Sequence, residues 1–256
     1  MTQEQVWNTA RRQSAVDLNC EAEDFLKPEN LVVLSQTNEH ARKYLTLPFS
    51  CQLVSYGNNI VASVQPEYRK IAERYISSYP AEHCFETPHL HVLNDMLMEH
   101  GHKICFMAEY FLPDLSAIRE LSCGFELRLL RQEDFIDLYL PQWSNALCAV
   151  RKELDVLGVG AYDREKLVGL AGCSADCEDM WQIGVDVLPD YRRKGIASAL
   201  TSRLALEALE REKVPFYCAA WSNIKSVRNA IRSGFRPAWA EMTAKPTAFV
   251  DGMNIR

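Results

Sequence analysis

The stretch VDVLPDYRRKGIASAL, residues 185–200, constrains the fold of this chain more than any other segment. An apolar strand ends at Leu188-Pro189, a basic loop follows, and Gly195 opens a helix. The first N–H groups of a helix have no partner within it, and the helix dipole places partial positive charge there. A strand, a tight basic turn and a helix N-terminus therefore make a cradle for a pyrophosphate. Gly195 has no side chain to block the approach. Ala197, Ser198 and Ala199 are small enough to let the helix lie close. Arg192, Arg193 and Lys194 add charge to a site built mainly from backbone N–H groups.

The flanking pattern alternates strands with helices. Ile196, Leu200, Leu204 and Ala208 recur at helical spacing and predict a helix from Gly195 to about Lys213. A buried-type strand is expected over Pro215–Ala220, and a helix over Ser222–Ser233 closed by Gly234. Pro237–Ala244 reads as a strand, with one more at Ala248–Met253. Upstream, Phe125–Leu130 is a strand, helices are expected over Gln132–Leu140 and Pro141–Arg151, and Val156–Tyr162 with Leu167–Cys173 reads as a hairpin. Met180–Leu188 is the strand before the basic loop.

In the first half, residues 3–18 and Asn38–Leu45 read as helices, and Cys51–Tyr56 and Ile60–Val64 as strands joined by Gly57-Asn58-Asn59. Pro66 opens a helix to about Ser78. Thr87 is expected to cap a further helix, with Pro88 at its first position and Gly101 beyond its end. Lys103–Phe111 follows as a strand, and Pro113 to Gly124 connects the halves. The class implied is α/β with a mixed sheet.

Two segments share a layout. AERYISSYPAEHCFETPHLHVLNDMLMEHGHKICFMAEYF and LEALEREKVPFYCAAWSNIKSVRNAIRSGFRPAWAEM both run helix, short strand, helix ending in glycine, strand. Gly234 stands 133 positions after Gly101, and Cys218 the same distance after Phe85. Two unrelated α/β segments would account for the layout equally well.

The length of 256 residues fits one or two domains. Residues 1–123 hold 16 acidic against 10 basic residues, and residues 124–256 hold 18 of each, which argues against a general nucleic-acid footprint. The nine cysteines lack a CxxC pair and read as reduced thiols. The polar N-terminus and the want of a long apolar run predict a cytoplasmic protein that does not span a membrane. All six histidines fall in the first half, yet His83, His89, His91, His100 and His102 match no standard zinc spacing, so no metal is expected.

Arg192, Gly195 and Ala197 occupy the three fixed positions of Gln/Arg-x-x-Gly-x-Gly/Ala, and here the chain resembles the GNAT superfamily of acetyl-coenzyme A-dependent N-acyltransferases. The strand PFYCAAW followed by Asn223, Ser226 and Gly234-Phe235 resembles the second cofactor motif of that family, and FELRLLRQEDFIDLY its first strand and helix. The resemblance covers residues 124–256 and implies a GNAT domain there, preceded over 1–123 by a smaller α/β domain with the layout of a degenerate copy. It implies acetyl-coenzyme A as co-substrate. Val185 and Val187 would offer backbone hydrogen bonds to the pantetheine arm, Arg192, Arg193, Lys194, Gly195, Ile196, Ala197 and Ser198 would hold the pyrophosphate, and Asn223 and Ser226 would approach the cofactor. A helix cap alone would also explain Asn223. The strands are expected to splay at Leu188-Pro189.

The resemblance further implies attack of an amine, on a small molecule or a peptide, at the thioester. The family often places a tyrosine seven residues after the asparagine to protonate the leaving thiolate, and that position is Ala230 here. Asp186, Tyr191 and Ser226 are the candidate catalytic groups, with Asp179 beside them. A coenzyme A-binding module without turnover, or an enzyme taking a longer acyl donor, fits the same motif. The first half is left to close the acceptor site or to pack a homodimer.

Overall fold

The computed structural model describes residues 1–255. In chain order the helices are α1 (Gln3–Leu18), α2 (Arg69–Ser78), α3 (His89–Met98), α4 (Ile196–Glu210), α5 (Ile224–Arg232) and α6 (Thr247–Asn254). The strands are β1 (Leu31–Leu34), β2 (Cys51–Ser55), β3 (Val61–Val64), β4 (His102–Pro113), β5 (Glu126–Arg131), β6 (Asp155–Asp163), β7 (Lys166–Ser174), β8 (Met180–Val187), β9 (Val214–Ala219) and β10 (Phe235–Pro246).

Two compact units form. One comprises Met1–Ala10 with Tyr110–Pro237, and the other Arg11–Glu109 with Ala238–Arg256. The chain therefore passes between units inside α1, inside β4 and again inside β10, whereas the resemblance implies a division after residue 123. None of the three crossings has a linker: the first lies within a helix and the other two within twelve-residue strands, where no Gly- or Pro-rich signal is required. Those two strands begin at His102 and Phe235, the same offset that relates Gly101 to Gly234, and each glycine has positive φ. The segment expected as a short strand in the earlier copy, around Phe85, is a 3-10 turn over Ala81–Phe85.

In the unit holding Arg11–Glu109, β1 runs parallel to β3, β3 antiparallel to β2, and β2 antiparallel to β10. Its core joins Leu53, Ala62 and Val64 to Tyr75, Ile76, Leu93 and Leu97. The expected helix at Asn38–Leu45 is instead a pair of turns. Arg42 is the reason. Its backbone N–H and Nε donate to the two oxygens of Asp17, and its NH2 donates to Glu241 Oε1 at 2.6 Å, all three side chains being buried. A buried charge must be paired to be tolerated, and pairing Arg42 on both sides draws its backbone out of helical register.

Further corrections fall in this unit. Thr87 does not cap α3, because the first helical residue is His89 and Pro88 stands before it. Ala248–Met253 is helical, with Phe249 and Met253 four apart on one side, Phe249 edge-on to Phe106 and Met253 Sδ near Cys105 Sγ. His102 is hydrogen-bonded on both ring nitrogens, Nε2 to Ser50 Oγ at 2.9 Å and Nδ1 to Tyr68 Oη at 2.7 Å. His83 pairs with Glu86, and the His89 ring lies tilted against Tyr79, with ring centres 4.2 Å apart. Among the described residues, no three or more His, Cys, Asp or Glu side chains converge as metal ligands, and no helix is long and apolar enough to cross a membrane.

In the unit holding Tyr110–Pro237, β5, β6, β7 and β8 form an antiparallel meander, and β9 joins β8 in parallel. α4 covers one face through Ile196, Leu200 and Leu204, which pack on Val159, Ala161, Ala171 and Cys173. The other face carries Phe135, Trp143, Ala146, Leu147 and Leu170. Helices expected over Gln132–Leu140 and Pro141–Arg151 are reduced to 3-10 turns at Gln132–Phe135, Pro141–Trp143 and Lys152–Leu154. Their amides have other partners: Asn145 N and Ala146 N donate to Asp186, and Cys148 N donates to Asp155. Carboxylates on the sheet thus take the N–H groups that a helix would have used.

Asp155 is almost fully buried, with Asp176 and Arg151 nearby. Burial pushes its carboxyl up to about 6, the Cys148 N–H and Tyr139 oppose the rise, and the charge of Asp176 adds to it. Between about pH 4 and pH 6 the unfolded chain loses this proton while the folded one keeps it. Stability therefore falls as pH rises through that window, by on the order of 2–3 kcal/mol. Asp155→Asn should remove the loss, so that the variant gains on the wild type between pH 4 and pH 7 in thermal unfolding. A difference between the two that does not change with pH would refute the assignment.

Candidate functional site

β8 and β9 stay paired only from Met180↔Val214 to Gln182↔Phe216. Beyond that pair β8 runs on to Val187 and β9 to Ala219, so the two strands part. The opening thus begins at Ile183, well before the expected splay at Leu188-Pro189. Leu188-Pro189 ends one strand, whereas parting is a property of the pair. On its other edge β8 is in register with β7 from Gln182↔Ser174 to Val187↔Gly169, and Leu188 N donates to Val168 O. Antiparallel bonding alternates along a strand. Gln182, Gly184, Asp186 and Leu188 therefore bond to β7, and Ile183, Val185 and Val187 turn their backbone groups toward the opening. One acceptor is already used, since Arg192 Nε donates to Val187 O at 3.1 Å.

The opening leads to the N-terminus of α4. Gly195 is the N-cap residue at φ 79°, and Arg193 is also left-handed at φ 64°. Two left-handed residues this close turn the chain sharply from the strand end into the helix. Ala199 N donates to Gly195 O at 3.1 Å, which opens the helical ladder. The N–H groups of Ile196, Ala197 and Ser198 precede it. A Cβ at Gly195 would meet no atom within 4 Å, so the space before the helix is open. Arg192, Arg193 and Lys194 are exposed there. Lys194 Nζ lies 4.8 Å from the Tyr191 ring centre and Lys166 Nζ 5.4 Å.

Several expected site residues are occupied otherwise. The Ser198 hydroxyl donates to Asn229 Oδ1 at 3.0 Å, so it pins α5 to α4, and only its backbone N–H remains for an anion. Asn223 caps α5 by accepting from Ser226 N at 3.2 Å. Ser226 Oγ lies 2.7 Å from Tyr217 Oη. Tyr191 donates to Asp163 Oδ2 at 2.9 Å, and that hydrogen bond raises its phenol above the ordinary range, which disqualifies it as a base.

Asp186 is a loop anchor. Its carboxylate accepts from Asn145 N at 2.8 Å, Asn145 Nδ2 at 2.6 Å and Ala146 N at 3.0 Å. With three donors on it, the carboxylate is committed to holding residues 144–147 on the sheet. The loop lies so close that a Cβ at Gly184 would stand 1.7 Å from Asn145 O, and one at Gly172 2.1 Å from Ala146 O. Asp179 lies 3.9 Å from Lys213 Nζ at the other end of β8 from the basic loop.

Sequence patterns did not point to Asn145, Asn229 or Tyr217. A signal for the docked loop was present in Gly158, Gly172 and Gly184, which sit side by side across β6, β7 and β8. Glycine inside a strand marks close approach by another backbone.

A family model described as GNAT acetyltransferase matches residues 101–238. The chain belongs to the GNAT acetyltransferase family. No curated protein sequence matches it. Among solved structures it is similar to a GCN5-related N-acetyltransferase-like protein from Streptococcus suis, at 20% identity and TM-score 0.45 over 62% of this chain and 69% of that one. It is also similar to a putative GNAT acetyltransferase from Novosphingobium aromaticivorans, at 17% identity and TM-score 0.43 over 56% of this chain and 66% of that one. A GNAT-family acetyltransferase from Colwellia psychrerythraea gives 15% identity and TM-score 0.45 over 72% of this chain and 76% of that one.

Proposed function

We propose that this protein transfers an acetyl group from acetyl-coenzyme A to the amine of a small-molecule or peptide acceptor in the cytoplasm. The observation that carries this reading is the parting of β8 and β9 after Gln182↔Phe216, which leads along a free backbone edge to the open, glycine-capped start of α4. An extended polar arm ending in a pyrophosphate matches that sequence of surfaces. Val185 would bond the arm through its backbone, while Arg193 to Ser198 would hold the pyrophosphate by N–H groups and charge. Acetyl-coenzyme A would supply the activated thioester when bound. The chain supplies orientation, a backbone-lined slot and proton transfer.

Three of the groups first considered for proton transfer are engaged elsewhere: Asp186 by residues 145 and 146, Tyr191 by Asp163, and Ser226 by Tyr217. That favours, as a second reading, a coenzyme A-binding module without turnover. Calorimetry with coenzyme A, followed by thiol release from acetyl-coenzyme A across an amine panel, tests both. Binding with amine-dependent release is the expected result. Tight binding with no release on any amine favours the second reading, and no binding removes both. Competition between acetyl- and longer acyl-coenzyme A reports the donor.

A further inference from the structure

Position 230 on α5 is alanine, and it is fully buried. Asn223, Ser226 and Ala230 are spaced to share one face of that helix. Tyr217 belongs to the same buried cluster as Ala230. Its hydroxyl lies 2.7 Å from Ser226 Oγ, one turn before Ala230, so a ring from the sheet packs on the helix face where alanine leaves room. Tyr217 is also the first residue of β9 beyond the last pair with β8. The residue at which the strands begin to part thus carries a phenol whose hydroxyl is held against α5.

We propose that Tyr217, carried by β9 rather than α5, returns a proton to the departing sulfur, with Ser226 as the positioning residue that holds its hydroxyl. This rests on the acyl-thioester reading above. As the acceptor nitrogen bonds to the acyl carbon and the C–S bond breaks with its electron pair going to sulfur, Tyr217 Oη gives its proton to that sulfur. The phenolate left behind accepts a hydrogen bond from Ser226 Oγ. It then takes up the proton shed by the acceptor nitrogen, so the tyrosine is regenerated and no proton is consumed. Burial raises the Tyr217 phenol above its ordinary range, which keeps the proton in place, while hydrogen bonds from Ser226 and Asn229 act the other way and stabilise the phenolate.

Calorimetry with coenzyme A and with desulfo-coenzyme A tests the contact without turnover. Wild type should bind coenzyme A about tenfold more tightly than the desulfo analogue, the upper end of the net worth of one ordinary hydrogen bond. Tyr217→Phe should bring that ratio to about one while leaving affinity for the desulfo analogue within about twofold, and Ser226→Ala should lower the ratio less. Amine-dependent thiol release should fall at least about a hundredfold in Tyr217→Phe, the scale of a lost general acid. An unchanged ratio in Tyr217→Phe, an equal loss for both ligands, or a wild-type ratio near one overturns the assignment. If wild type binds neither ligand, the acyl-thioester reading falls first and takes this one with it.

Discussion

Gly195→Glu should weaken coenzyme A binding by at least a hundredfold, on the order of 3 kcal/mol, with the protein still folded. Two effects combine. Gly195 has φ 79°, where an ordinary side chain costs about 1 kcal/mol. That strain alone would be modest, because a Cβ there meets no protein atom within 4 Å. The open space is the region before α4 that the pyrophosphate would enter, and a carboxylate there fills it with the wrong charge. The same negative end would also satisfy the helix dipole from within the chain. Gly195→Ala separates the two effects. It should lose about 1 kcal/mol of stability yet hold coenzyme A within about tenfold of wild type. Calorimetry and thermal unfolding measure both variants. Retention of full affinity by Gly195→Glu would remove the phosphate-binding role from this turn.

Gly184→Ala should be the most damaging small substitution in this unit. The added methyl would stand 1.7 Å from Asn145 O and 2.7 Å from its carbonyl carbon, and backbone cannot move aside as a side-chain tip can. The loop must lift. Lifting it strips Asp186 of its hydrogen bonds from Asn145 and Ala146, each worth roughly 1.5–3 kcal/mol because the acceptor is charged. It also uncovers Trp143 and Leu147, which are buried against Leu170 and Phe135. Because the loop lifts only in part and its freed groups regain water, the net loss is about 3–5 kcal/mol, which lowers the melting temperature by roughly 10 °C or more. Asp186→Ala should reproduce much of that loss without the steric clash. A Gly184→Ala protein as stable as wild type would show that the loop is not docked as described.

Much of the fold was legible because many elements announce themselves locally. The stripe Ile196, Leu200, Leu204 and Ala208 specifies α4, and all four side chains are essentially buried. The hairpin of β6 and β7, the strand β8 and the cap at Asn223 likewise follow from neighbours in the chain. Residues 132–154 misled, because apolar spacing reports a helical face but not the competitors for its amides. Asp186 is 41 residues from Asn145, and Asp155, although only seven residues from Cys148, lies on the sheet beyond the apolar pattern; both outcompete helix carbonyls there. The same holds for Asn38–Leu45, where Glu241 claims Arg42 from 199 residues away.

The turn at Arg192–Ala197 could be identified from residues alone, because an apolar run, a left-handed glycine position and a helix stripe are all short-range properties. Which side chains remained available around it depended on folding. Whether a carboxylate is a base or an anchor depends on the donors that reach it, and Asp186 met three. Whether a tyrosine stands beside the strand opening depends on where the pairing of β8 with β9 stops, and Tyr217 is the next residue. Hydrogen-bond partners and strand separation are set by atoms far apart in the chain. The basic turn was therefore written in consecutive residues, and the placing of Tyr217 emerged only when β9 was laid against α5.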